Sequence, residues 1–255
     1  MEKRFSYRIY PNKEQEIQIQ KNFGCVRFVF NHYLSKRIEK YEAGEGIYGY
    51  YESSKDLTQL KKQDEYAWLR EADAHSLQNA LKNVNFAYSE FYRRIREKDG
   101  APGFPRFKKK KETRQSYTCQ AKIGREVIYF DGNKKIRLPK LGLVDCKVSR
   151  PIEGRIISAS IIQVPSGKYF VSVCCTDIEP EQPVQTGKTI DLQHVYSDER
   201  HLEKEQKKIS RLHRRMSRKP KGSANYEKAR VALAKAYERE KNKKTDKLQK
   251  LTTQL

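Results

Sequence analysis

Acidic residues are scarce in this chain of 255 residues: 32 Asp and Glu face 54 Lys and Arg, leaving a formal charge of +22. Apolar residues are also few, at 36%, where globular domains carry about 45–50%. That share still exceeds what a disordered chain shows. No run approaches the roughly 18 apolar residues of a membrane helix, and Met1–Tyr10 holds no apolar leader core. The expectation is a soluble, cytoplasmic chain of one or two domains with no membrane partner. Paired cysteine motifs are missing too. Cys25, Cys119, Cys146, Cys174 and Cys175 are odd in number and never form C-x-x-C, which points to reduced thiols and against a zinc site.

The surplus charge is concentrated. Residues 203–250 carry a net +12 and residues 93–114 a net +7. Nineteen of the 22 charges thus come from 70 residues. Like charges this dense oppose compaction unless a polyanion neutralises them, and nucleic acid is the default partner.

Periodicity divides the rest. Lys3–Tyr10 alternates as a strand with Phe5, Tyr7 and Ile9 on one face, and Pro11 ends it. From Lys13 the spacing of Ile19, Phe23, Val26, Phe30 and Tyr33 predicts an amphipathic helix. A Gly- and Tyr-rich loop is expected over Ala43–Tyr51, a short helix around Lys55–Gln63, and Trp68 in the core. A longer helix carries Leu77, Leu81, Val84, Tyr88, Phe91 and Ile95 on one side, and Asp99–Pro105 breaks it. Short strands follow over Ser116–Ile123, Glu126–Phe130, Lys134–Leu138, Leu143–Val148, Arg155–Val164 and Lys168–Thr176, enough with the first strand for a small antiparallel barrel. Asp177, Glu179 and Glu181 are linker acids with no partner in view. Two basic helices end the chain, Leu202–Lys219 with Ile209, Leu212 and Met216 as its narrow stripe, and Asn225–Gln249 with Leu233, Ala236 and Tyr237. No histidine among His32, His75, His194, His201 and His213 has metal-ligand spacing.

The order of these segments resembles the TnpB family, transposon-encoded RNA-guided nucleases. "FSYRIYPNKEQ" is similar to the family's first strand and Pro-x-x-x-Gln helix start. "FGCVRFVFNHYL" and "HSLQNALKNVNFAYSEFYRR" resemble its recognition-lobe helices, and "GFPRFKKKKETRQSYT" its passage into the wedge barrel. "LEKEQKKISRLHRRMSRKPKGSANYEKARVALAKAYERE" resembles the basic helix pair of its RuvC nuclease domain. The resemblance implies an α+β, multidomain chain. Its wedge β-barrel would take residues 1–11 and 115–180, the helical recognition lobe 12–114, and a truncated RuvC/RNase H-like remnant 186–255.

In the family, three carboxylates hold two divalent metals. Here Ile190-Asp191-Leu192-Gln193 matches the first motif without its Gly, and the sequence ends at "KLQKLTTQL" before the second. One carboxylate cannot hold two metals about 4 Å apart. The expectation is therefore no enzyme, no zinc, no catalytic metal and Asp191 as a vestige. The pattern resembles the nuclease-dead TnpB-like repressors. It implies a prokaryotic, nucleoid-associated protein that binds a guide RNA and double-stranded DNA beside a target-adjacent motif, blocking polymerase while base pairing reads sequence. The alternatives are a TnpB-type RNA-guided DNA endonuclease or a fragment of one, and a basic DNA-binding factor that needs no RNA.

Candidate residues follow. Gln78 and Asn79, on the helix that in the family faces the target-adjacent duplex, carry amides able to pair with adenine. Ser76, His75 and Lys82 are neighbours, Tyr50 and Tyr51 could contact thymine methyls or sugars, and Ser116 and Thr118 complete the DNA set. For RNA and phosphate the set is Arg4, Arg8, Arg106, Lys108, Lys109, Lys110, Lys111, Arg211, Arg214, Arg215, Arg218 and Lys219.

Overall fold

The structure, a computed structural model, describes residues 1–98, 100, 103–110, 114–121, 127–179 and 199–253, with the side chains of 199–202 left aside. Strand β1 (Lys3–Tyr10) buries Phe5, Tyr7 and Ile9, the expected face. Asn12 then caps α1 (Lys13–Glu42). Its Oδ1 accepts from the Gln15 N–H at 2.8 Å, and Gln15 Oε1 accepts from the Asn12 N–H at 3.0 Å. This reciprocal capping box is the physical content of the Pro-x-x-x-Gln start. The α1 stripe buries Ile19, Phe23, Val26, Phe30, Tyr33 and Leu34, each worth about 1.5–3 kcal/mol relative to exposure.

Helix α2 (Tyr50–Leu60) begins earlier than expected, so Tyr50 and Tyr51 stand in its first turn and not in a loop. The cause is local: the Gly49 N–H donates to Glu52 Oε2 at 3.1 Å, satisfying a donor at the helix start. A 3-10 segment, Asp64–Glu71, carries Trp68, which is 39% exposed and edge-on to Phe28 rather than in the core. Helix α3 (Ala74–Glu97) buries Leu77, Leu81, Val84 and Tyr88, whereas Ile95 emerges because the stripe outruns its cover.

Seven antiparallel strands follow the order β2-β6-β7-β1-β5-β4-β3, with β2 Gln115–Gln120, β3 Tyr129–Asp131, β4 Lys135–Leu138, β5 Gly142–Lys147, β6 Arg155–Gln163 and β7 Tyr169–Thr176. β1 is central, pairing with β7 from Lys3↔Cys175 to Ile9↔Tyr169 and with β5 at Arg8↔Lys147. The α+β class is as expected. The closed barrel is not, because β2 and β3 stay unpaired edges among the described residues and β3 is only three residues long. Gly154 has φ +73°, and a Cβ there would meet the Thr176 carbonyl oxygen at 2.1 Å, so only glycine fits. Next to it Arg155 Nε donates to Asp177 Oδ2 at 3.0 Å, so this linker acid has a partner that its sequence neighbours do not reveal.

One core joins this sheet to α1–α3: Phe23 meets Tyr117 edge-on at 5.6 Å. All five cysteines are free and buried. A second compact unit contains the antiparallel pair α4 (Glu199–Ser217) and α5 (Ala224–Thr253). Ile209, Leu233 and Ala236 form its small core with Leu212 and Met216, as the stripe predicted, while Tyr237 is 49% exposed. No described helix is long and apolar enough to cross a membrane.

Candidate nucleic-acid interface

The basic segment after α3 is fixed by its main chain. Asn31 Nδ2 donates to the Lys108 carbonyl at 2.9 Å, and the Lys108 N–H donates to Asn31 Oδ1 at 2.8 Å. Lys108 Nζ lies 4.2 Å from the Phe30 ring centroid, a cation–π contact. This docking gathers Arg27, Lys108, Lys109, Arg114 and Ser116 around a cleft floored by Phe23 and Val26. Arg106 and Lys110 are exposed beside them in the chain, and Lys111 lies outside the described residues. Thr118 is turned to the sheet, its Oγ1 2.7 Å from Ser160 Oγ. Arg27, Asn31 and Arg114 were missed by sequence reasoning. Their available signal was the i, i+4 spacing of Arg27 and Asn31 on the polar flank of the α1 stripe.

The start of α3 divides the second candidate set. Ser76 is 1% exposed, and this corrects its expected place on a base-reading surface. Its N–H donates to the Asp73 N-cap carboxylate at 2.9 Å and its hydroxyl to the Asp73 carbonyl at 2.7 Å. Asn79 joins α3 to the sheet. Its Nδ2 donates to the Thr118 carbonyl at 2.9 Å, and its Oδ1 accepts from Gln120 Nε2 at 3.4 Å. Gln78 joins α3 to α2, its Oε1 accepting from the Tyr50 hydroxyl at 3.1 Å and Ser54 Oγ at 3.2 Å. Lys82 Nζ lies 5.9 Å from the Tyr50 ring, and Tyr51, 79% exposed, packs its ring 5.7 Å from that of Tyr50. Tyr50, Tyr51, Gln78 and Lys82 therefore come together, while Ser76 and Asn79 turn inward or toward β2. His75 is half-buried.

On β1 the alternation turns Arg4 and Arg8 away from the core face; Arg4 is exposed, and the Arg8 guanidinium lies 4.8 Å from the Tyr10 ring.

In the helical pair, Arg211, Arg214, Arg215, Arg218 and Lys219 line a single depression. The five were named from the density of basic residues along α4 and just after it, and the turns of a helix bring such positions together. Among the described residues no carboxylate lines it. Glu205 of α4 accepts from Lys243 Nζ at 2.7 Å, and that hydrogen bond holds its carboxyl below the ordinary range. Guanidinium groups crowded like this suit phosphate oxygens, which they bind in bidentate fashion. Among the described residues no three His, Cys, Asp or Glu side chains converge on a metal-sized site. They do not build a two-metal centre, and Asp191, His194 and Glu181 lie outside them.

Comparison with known proteins accords with this chemistry. A family described as a helix-turn-helix domain matches residues 1–46; in this fold that stretch is strand β1 followed by one long helix. A protein of Streptomyces pristinaespiralis named a putative RNA-guided DNA endonuclease is 32% identical over 98% of this chain and 63% of its own length. The putative RNA-guided DNA endonuclease InsQ of Escherichia coli K12 is 30% identical over 98% of this chain and 62% of its own. The virulence protein VsdF of Salmonella dublin is 31% identical over 40% of the chain and 88% of its own length. The chain spans less than two thirds of the two endonuclease relatives.

These relatives overturn one expectation. A chain without enzymatic activity was inferred from missing carboxylates, yet relatives matching 98% of it carry the name of endonucleases. Where a sequence spans only part of its relatives, carboxylates beyond its last residue say nothing of activity. The polymerase-blocking repressor rested on the same inference and gives way with it.

Proposed function

The chain belongs to the TnpB family, and from that premise we propose that it is the nucleic-acid-holding part of an RNA-guided DNA endonuclease. The observation that carries this is the depression lined by Arg211, Arg214, Arg215, Arg218 and Lys219, with no carboxylate among the described residues that line it. Five cations at one surface repel one another until a polyanion neutralises them, and each phosphate bound releases counterions. The cleft of Arg27, Lys108, Lys109 and Arg114 supports a second backbone grip.

In this reading residues 1–11 and 115–180 form the wedge, 12–114 the recognition lobe and 186–255 a RuvC-like part. Guide RNA lies along the cations of α4 and of the segment before β2. Target DNA is met by the group of Tyr50, Tyr51, Gln78 and Lys82, with base pairing to the guide selecting sequence. Gln78 contributes less to adenine readout than an unengaged amide, since its oxygen already accepts two hydroxyl groups.

Sequencing the RNA that co-purifies with the protein tests this. One defined species with a variable 3′ segment is expected. Protein that purifies free of RNA and binds DNA equally well without it contradicts the proposal.

A further inference from the structure

The apolar face of α3 continues beyond its buried part. Tyr88 is buried, with the Arg37 guanidinium 3.9 Å from its ring centroid. At helical spacing the same face goes on to Phe91, half-buried, then Tyr92 and Ile95, 47% and 48% exposed. Phe104, from the segment after the helix, stands edge-on to Tyr88 at 5.7 Å and to Phe91 at 5.4 Å, and is itself 48% exposed. Phe91, Tyr92 and Phe104 thus make an open aromatic shelf, the sort of patch that usually marks a binding surface.

Its rim indicates the occupant. Arg94 and Arg96 are exposed and flank the stripe, one on each side at helical spacing. Arg106, exposed, follows Phe104 by two residues. The acids of this turn, Glu90 and Glu97, are both taken by Arg93. Cations in a last turn also complement the helix dipole, but that accounts for the charges alone and leaves the exposed rings unexplained. An apolar protein face would have to desolvate two arginines. A single strand of nucleic acid sets bases on the rings and phosphates on the rim.

We propose that Phe91, Tyr92 and Phe104 form a stacking platform for unpaired bases of RNA, with Arg94 and Arg96 on the adjoining phosphates. The inference rests on the guide-RNA reading above and names a contact that reading does not require.

The test uses the full chain. In the double variant Trp68→Phe, Tyr92→Trp the single tryptophan sits on the shelf, and single-stranded oligoadenylate is expected to quench its emission while duplex RNA leaves it unchanged. Tyr92→Ala with Phe104→Ala is expected to weaken oligoadenylate binding about five-fold or more. Tyr92→Leu with Phe104→Leu, which keeps apolar bulk without rings, is expected to do the same, with duplex affinity retained in both. Wild-type affinity in both double variants and an unquenched reporter overturn the platform and leave the guide-RNA reading standing. A wild-type protein that binds no RNA of any kind overturns both.

Discussion

Asn31 on α1 holds the main chain of Lys108 from both sides, at 2.9 and 2.8 Å, so the basic segment is docked by its backbone and its side chains remain turned to the cleft. Asn31→Ala removes both of these hydrogen bonds. We expect a loss of about 1–3 kcal/mol in urea unfolding and faster amide exchange at Lys108. Unchanged exchange at Lys108 would show that Asn31 is not what fixes the segment.

The depression on α4 makes a salt prediction. Arg211→Gln with Arg215→Gln removes two cations from exposed positions, so the fold is retained. If each holds one phosphate, the slope of log K against log salt becomes shallower by roughly 1.4–1.8. Titrations at several salt concentrations measure this, and an unaltered slope removes the depression from the interface.

His32 gives a pH prediction. Its Nε2 is buried without a hydrogen-bond partner among the described residues, and its ring stacks on Phe28 at 5.4 Å. Burial, helped by Lys36 and opposed by Asp56 and Glu39, lowers its pKa below the ordinary value. The unfolded chain then binds the proton more tightly than the folded one. Stability is therefore full above about pH 6.5 and declines as pH falls from there through the folded value. His32→Phe, uncharged and of similar shape, should flatten the stability profile over that window. A variant with the wild-type slope assigns the effect to other groups.

The α4–α5 pair rests on few apolar contacts. Ile209, Leu233 and Ala236 form its buried cluster, with Leu212 and Met216 partly covered and Ala229 buried nearby on α5. Ile209→Ala removes a core side chain at a cost of about 2–5 kcal/mol, more than so small a core can absorb. Circular dichroism of the RNA-free protein should show a loss of helix, and wild-type ellipticity would mean that the pair is held by something else.

Much of this architecture was legible because apolar spacing has a period. The alternation of Phe5, Tyr7 and Ile9 and the stripe from Ile19 to Tyr33 are read directly from the chain and are buried as read. The cations of α4 were named from the density of basic residues along the helix and from the resemblance of the helix pair, and the structure sets them around one depression. What escaped depended on partners distant in sequence or on capping. Ser76 reads as polar surface until Asp73, three residues before it, is recognised as its N-cap. Asn79 reads as a free amide, but its partner Thr118 is 39 residues away. Trp68 reads as core by its residue type and Ile95 by its helical spacing, yet among the described residues they stay 39% and 48% exposed. Activity was misread for a different reason: the last residue of a sequence is not a property of a site, and the chain spans only 63% and 62% of the two endonuclease relatives.

The proposed function stands on one property: that a guide held by this chain selects its DNA. The most direct measurement replaces the guide segment of the bound RNA and follows where on DNA the protein binds. Binding that moves with the new guide is the predicted result. Binding that stays at its original DNA site after the guide is exchanged contradicts guide-directed recognition.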